Sequence, residues 1–307
     1  MVDLEVRELR YFVAVAEERN FGRAAQRLGI AQPPLSRAIR RMESRLGVVL
    51  FDRSTRHVDL TPAGTVLLDE ARVALDAVEA AGRRARRAGQ PAPKLVVAVK
   101  AGGGGELLTR ILDRYAAQPG HPPVEVVVGR WGDPPRMLRD GRADVALLTL
   151  PVEPPGIASE PLVSEQRMLA MHARHRLAGY AQVSRADFAG ETFPCVPGEG
   201  GTGYLTGIEP EENPPPRPPG PAVGDMAQLL EVIALGQAVA VLPASAQHRY
   251  PRPDVVFRPI ADLAPSTLVV AWPEASRSRA VAAFVRAALE AARTPEPLRL
   301  VSGGATG

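Results

Sequence analysis

The chain has 307 residues, 45% of them apolar and 5% aromatic, with a net charge of +3; that length suffices for two or three domains with cores of their own. No stretch approaches the roughly 20 consecutive apolar residues of a membrane span, and the start, MVDLEVRELR, lacks the basic and apolar regions of a signal peptide. The single cysteine, Cys195, can form no internal disulfide, and no Cys/His cluster has the spacing of a zinc site, so a cytoplasmic protein without metal or membrane attachment is expected.

Leu9, Phe12, Val13 and Ala16 recur at helical spacing and predict a first helix over 6–19. Asn20 caps a second, in which Phe21, Ala24, Ala25 and Leu28 repeat and the paired alanines allow a close neighbour; Gly29 ends it. The third runs from Gln32 to Gly47, with Pro33 and Pro34 in a first turn whose N–H groups have no intrahelical partner. Leu35, Ile39, Met42 and Leu46 make its apolar stripe. Pro33, Ser36, Arg37, Arg40 and Ser44 fall on the opposite side with Arg41 at the edge, while Gln32 and Pro34 are ambiguous. Most wet helix faces mix both signs of charge. This one offers only Arg and hydroxyls, donors for phosphate oxygens and guanine edges, as a helix in a DNA major groove requires. VVLFDR and HVDLT then alternate as two short strands around Ser54 and Thr55, a basic wing.

Charge follows the same segment. The chain from Met1 to Pro93 has 16 arginines, no lysine and 12 acids, a balance of +4, against −1 for the remainder. Between Phe21 and His57 eight arginines face only Glu43 and Asp52. A polyanion partner is implied for that part alone.

Thr61-Pro62 is a cap followed by proline at the first helical position, and opens a helix to about Gly89, on the order of 40 Å long. Leu68, Ala71, Leu75, Val78, Gly82 and Ala85 alternate steps of three and four, a heptad seam. A seam of that length beside a small domain points to a partner helix; packing on its own domain is the alternative. Arg83, Arg84, Arg86 and Arg87 end the helix in a basic cluster, and Gln90 to Pro93 is a linker.

Strands are expected at 94–101, 124–129 and 143–150, with helices at 106–118 and 134–139 between them. This β-α-β-α-β order predicts a parallel sheet with helices on its faces. Further strands are expected at 167–171, 192–196, 238–242, 255–258 and 267–272, and helices at 225–235, 244–250 and 279–292. Residues 208–221, IEPEENPPPRPPGP, read as an extended polyproline-like segment, and 294–307 as a flexible tail.

The run F-x2-AA-x2-L-x2-AQPPLSR-x-I-x2-ME-x2-LG-x3-LF-x-R-x2-R-x3-LTPAG resembles the LysR-type transcriptional regulator family over roughly Leu4 to Gly64. GDPPRMLRDGRADVALL, ARHRLAG, VGDMAQLLEVIALGQAVAVLPAS and AVAAFVRAAL extend the resemblance more weakly to about Ala292. It implies an N-terminal all-α winged helix-turn-helix (4–64), a long dimerising linker helix (61–89), and a C-terminal α/β effector domain (94–293) like the type 2 periplasmic binding proteins. The effector domain would have two subdomains, 94–163 with 268–293, and 164–267. By position, the resemblance places Gln32, Pro33, Pro34, Ser36 and Arg37 in the major groove and Arg53 and Arg56 on the wing, against phosphate or minor groove. The face pattern supports Ser36, Arg37 and Arg40 independently; Arg37 is expected to read a base edge and Arg40 or Arg41 to hold phosphate. Implied partners are double-stranded DNA, a second copy in a homodimer that pairs again to a homotetramer, RNA polymerase and a small-molecule co-inducer, with no other cofactor.

In a two-lobed α/β module, ligands bind at the carboxyl ends of strands, in the cleft. The positions there are Lys100, Gly102, Gly103, Gly104, Thr149, Pro197, Gly198, Thr202, Asp225 and Met226. The glycine run leads into a helix start, whose free N–H groups favour an anion, and Lys100 adds charge. A small carboxylate-bearing effector is expected. The family more often has Ser or Thr in this loop, so here only backbone amides are on offer.

Two other classes are weighed. An enzyme would need a motif the chain lacks: there is no G-x-S-x-G elbow, H-E-x-x-H helix, P-loop or G-x-G-x-x-G after a strand. His172 and His175 read as solvated and Cys195 as a buried strand residue. A nonspecific DNA-binding architectural protein would be basic throughout, whereas here the positive charge is confined to one module.

Overall fold

The structure, a computed structural model, describes residues 4–53, 58–150, 156–195 and 220–293. The chain divides into two compact units, one built from the chain up to Gln90 with Arg139–Arg142, the other from the rest.

In the first unit, α1 (Val6–Glu18), α2 (Phe21–Leu28) and α3 (Gln32–Leu46) precede a two-stranded antiparallel ribbon, β1 (Phe51–Arg53) with β2 (Val58–Leu60), and the long α4 (Pro62–Ala88). The predicted caps form. The Asn20 side chain accepts from Arg23 N–H at 3.0 Å, and Thr61 accepts from Gly64 N–H at 3.0 Å. Gly29 closes α2 with φ +67°, the left-handed turn that glycine adopts without Cβ strain. Ala24, Ala25 and Ala38 are buried, so the helices cross close together, over a core of Phe12, Leu35, Ile39 and Met42. The Phe51 ring lies 5.2 Å from Phe12 and 6.0 Å from Phe21, which ties the root of the wing to the first two helices. Gly64 lies so close to the ribbon that an added Cβ would meet the Leu50 carbonyl oxygen at 2.1 Å.

The expected heptad seam of α4 divides in two. Ala71 is buried, and Leu68 and Leu75 pack against the core of their own unit, as the alternative reading had it. Val78 remains 44% exposed, and so do Val66 at 66% and Val73 at 46%, on a different stripe. The first turns of the seam therefore complete the core of the first unit, which cannot cover the outer stripe as well.

The second unit holds two sheets. The larger contains β3 (Leu95–Lys100), β4 (Val124–Gly129), β5 (Val145–Thr149), β6 (Ile157–Glu165) and β10 (Ser266–Pro273) in the order β4-β3-β5-β10-β6. The pairings of β3 with β4 and with β5 are parallel, as expected from the β-α-β order. Strand β10, which returns from the end of the chain, is antiparallel to β5 and β6, so the sheet is mixed. β6 was not expected, because its residues neither alternate nor run apolar, and it contains Pro161. A shift in its register between Leu268 and Val269 accommodates that stretch at the sheet edge, where proline is tolerated. Helices α5 (Gly105–Ala116) and α9 (Arg279–Arg293) cover one face through Ile111 and Phe284; α6 (Asp133–Arg139) covers the other through Met137 and Leu138.

The smaller sheet, β8-β7-β9, is built from β7 (Arg167–His172), β8 (Ala240–Pro243) and β9 (Val255–Pro259), all antiparallel. Helix α7 (Met226–Ala234) packs on it through Leu229 and Ile233, and the short α8 (Ser245–Arg249) follows β8 directly. The strand expected at 192–196 is absent over 192–195: Cys195 makes only an isolated bridge with Ala222, and its thiol donates to the Gly220 carbonyl at 3.4 Å. His175 is not solvated as expected; its side chain is 19% exposed and its Nε2 lies 3.2 Å from Glu191. Most of the Pro-rich segment (208–219) and the tail 294–307 lie outside the described residues.

Candidate nucleic-acid interface and effector cleft

On α3, Gln32, Pro33, Pro34, Arg37, Arg40, Arg41 and Ser44 are exposed and Ser36 is half-buried, while Leu35, Ile39 and Met42 point into the core. Gln32 and Pro34, which periodicity left ambiguous, thus stand on the wet side of the first turn. The helix sorts its charge as strictly as its apolar groups. Its one acid, Glu43, accepts from the backbone N–H groups of Leu50 at 3.0 Å and Phe51 at 3.4 Å, holding the chain that enters β1. Arg45 pairs with the buried Glu8 of α1. Arg37, Arg40 and Arg41 have no hydrogen bond or ion pair with any described residue. Three guanidinium groups are left on one face with no carboxylate among their described partners. Arg53 ends β1, opposite Val58; Arg56 lies outside the described residues.

Two other arginines of this unit are held by an acid. Glu17 of α1 holds Arg27 of α2 at 2.8 Å and Arg72 of α4 at 3.1 Å. Burial alone would push the Glu17 carboxyl up, but the hydrogen bonds and charges of Arg27 and Arg72 outweigh it and hold the group below the usual carboxylate range. A lowered native pKa contributes stability that is present above the unfolded pKa and is lost as pH falls through the native value. Glu17→Gln should therefore melt earlier than the parent at about pH 7, and the gap should narrow as pH falls below the usual carboxylate range and Glu17 takes up its proton. A gap that is constant across a pH series of melting curves would show that the charge of Glu17 contributes nothing.

In the second unit a cavity of about 780 Å³ opens at the carboxyl ends of β3, β5 and β8. Of the residues expected there, Lys100, Gly102, Gly103, Gly104, Thr149 and Met226 line it. Asp225 does not; its carboxylate caps α7 by accepting from Gln228 N–H at 2.9 Å. Pro197, Gly198 and Thr202 lie outside the described residues. The sequence reading missed Arg110, Trp131, Glu165, Arg249 and Tyr250, all of which face the cavity. A short helix directly after the carboxyl end of β8 was the available signal for Arg249 and Tyr250. The cavity carries Lys100, Arg110 and Arg249 against Glu106 and Glu165, a net positive lining, and its walls include Leu107, Val163 and Leu268. Such a space, part apolar and with a surplus cation, suits a small anion with an apolar body.

The described residues contain no group of three or more His, Cys, Asp or Glu placed to hold a metal ion, and no helix long and apolar enough to cross a membrane.

Comparison with known proteins identifies both domains. Residues 6–65 match the bacterial regulatory helix-turn-helix model of the lysR family, and residues 88–293 match the LysR substrate binding domain. The Hca operon transcriptional activator HcaR of Escherichia coli K12 is 31% identical over 290 residues, 92% of this chain and 96% of its own. The regulator ShiR of Corynebacterium glutamicum is 39% identical over 199 residues, 63% of this chain and 66% of its own. Among solved structures, CbnR, a LysR family transcriptional regulator, superposes with a TM-score of 0.52 at 26% identity, covering 95% of this chain and 100% of that one. These relatives are regulators rather than enzymes. With a DNA-binding unit whose cations face outward and an effector-binding unit with an open cleft, the chain belongs to the LysR family of DNA-binding transcriptional regulators.

Proposed function

We propose that the protein reads a dyad site in promoter DNA as a homodimer paired through α4, two dimers joining in a tetramer, and that a small anion bound in the cleft modulates it. The observation that carries this reading is the cationic face of α3, whose Arg37, Arg40 and Arg41 have no partner among the described residues. Arg37 reads a base edge and Arg40 and Arg41 hold phosphate. Gln32, Pro33, Pro34 and Ser36 sit at the groove floor, and Arg53 and Arg56 reach the flanking backbone from the wing. The exposed Val66 and Val73 offer α4 an apolar stripe for its partner, and the exposed Val78 lies on the seam beside it. Paired modules address half-sites about one helical turn apart. RNA polymerase is the partner on the same DNA, and the cytoplasm is the compartment.

The effector acts by binding one arrangement of the two lobes more tightly than another, since equal affinity would shift nothing. The cleft with its cationic surplus supports an anionic ligand, as does the α5 start beside Gly104. Footprinting on the DNA upstream of the gene and its neighbours tests the DNA reading. A discrete dyad protected at physiological salt is expected. A uniform smear at every salt concentration would instead make the protein a nonspecific architectural binder.

A further inference from the structure

The cleft has a cation that reaches across it. Arg249, at the end of α8, donates from Nη1 to the carbonyl oxygen of Gly102 at 2.6 Å, spanning from the smaller sheet's side to the β3–α5 loop. The guanidinium rests directly on the loop backbone: a Cβ added at Gly105 would meet its Nη2 at 2.6 Å. The neighbouring Tyr250 does the same one turn earlier, where a Cβ at Gly102 would lie 2.0 Å from its hydroxyl oxygen. Both glycines have positive φ, +74° at Gly102 and +47° at Gly105. Side chains in this loop would therefore keep Arg249 and Tyr250 away.

Arg249 has no carboxylate partner among the described residues. A guanidinium resting on a neutral carbonyl uses one donor and leaves its charge unmatched. A planar carboxylate can take two donors of the same fork and match the charge, which makes it the better partner. Arg110, whose Nε is buried in the cavity wall without a hydrogen bond, adds a second unsatisfied guanidinium facing the same space.

We propose that Arg249 is the specificity-determining residue of the effector site: it latches the cleft by holding Gly102, and it exchanges that carbonyl for the carboxylate of an effector with an apolar body. The inference rests on the reading of the cleft as an anion-binding effector site. It couples occupation to release of the latch when the carboxylate takes the Nη1–Nη2 fork, because Nη1 is the donor that holds Gly102.

The test uses the full chain and a calorimetric panel of four- to eight-carbon monocarboxylic acids, each beside its neutral amide. At least one acid is expected to bind the parent protein more tightly than its amide does. Arg249→Gln should then weaken that acid by about 10- to 100-fold and leave the amide unchanged, with Arg249→Lys falling between. Hydrogen exchange without ligand gives an independent readout: amides of residues 101–108 should exchange faster in Arg249→Gln than in the parent. Equal acid affinity in parent and Arg249→Gln would overturn the role of Arg249 while leaving the anionic site standing. Unchanged exchange would overturn the latch. If no acid in the panel outbinds its amide on the parent, the anionic reading of the cleft fails together with this inference.

Discussion

Phe51→Ala is expected to cost the DNA-binding unit about 3–5 kcal/mol, the range for emptying a large buried aromatic site. The ring is 2% exposed and contacts both Phe12 and Phe21, so its loss opens a cavity where the wing, α1 and α2 meet. Small domains are stable by only about 5–15 kcal/mol, so the variant should populate unfolded forms of this unit near growth temperature. Hydrogen exchange of the α1–α3 amides in the full chain would show it as a large loss of protection confined to the first unit. Protection within about 1 kcal/mol of the parent would mean that the aromatic contact is not what joins the wing to the helices. Phe51 also sits one residue after Leu50, whose N–H is held by Glu43 of α3, so DNA affinity should fall together with stability.

The second large effect is on recognition. Arg37→Ala should weaken binding to the cognate site by about 1–3 kcal/mol, roughly 5- to 150-fold, and relax selectivity at a single base position. Its side chain has nothing to lose inside the protein, since it pairs with no described residue and stands on the exposed face of α3. The fold should therefore be untouched, and melting temperature serves as the control. Gel-shift titrations on the operator, on single-base variants of it and on random DNA separate the outcomes. Equal losses on all sequences, with the salt slope reduced by about 1, would make Arg37 a phosphate contact.

The first unit was almost wholly legible in the sequence because its signals are local. Asn20 and Thr61 mark helix starts through their side-chain oxygens, Gly29 and Pro33 mark helix ends through their backbone geometry, and the apolar repeat of Leu35, Ile39 and Met42 reports which way α3 faces. Periodicity could not say how much of the α4 seam the unit itself would cover, because that depends on how close α1 comes; the buried Ala71 marks that approach. In the second unit, β6 was hidden because its pairing is with β10, about a hundred residues later, and no alternation records a partner that distant. Asp225 reads equally well as a ligand group and as a cap from sequence, and only the bond from Gln228 decides. Arg249 was missed for a related reason. It is one arginine among many until the carboxyl end of β8 is seen to aim α8 at the glycine loop.

Because Leu68, Ala71 and Leu75 belong to the core beneath α1, the core of the first unit runs on into α4, past the end of the winged motif. A fragment cut at the end of the winged motif near Gly64 would expose that core, whereas one ending after Leu75 would keep it. The same arrangement fixes the rotation of α4 about its axis relative to α3. A twist of those early turns of α4 is therefore passed to α1, on which they pack, and through it to the recognition helix.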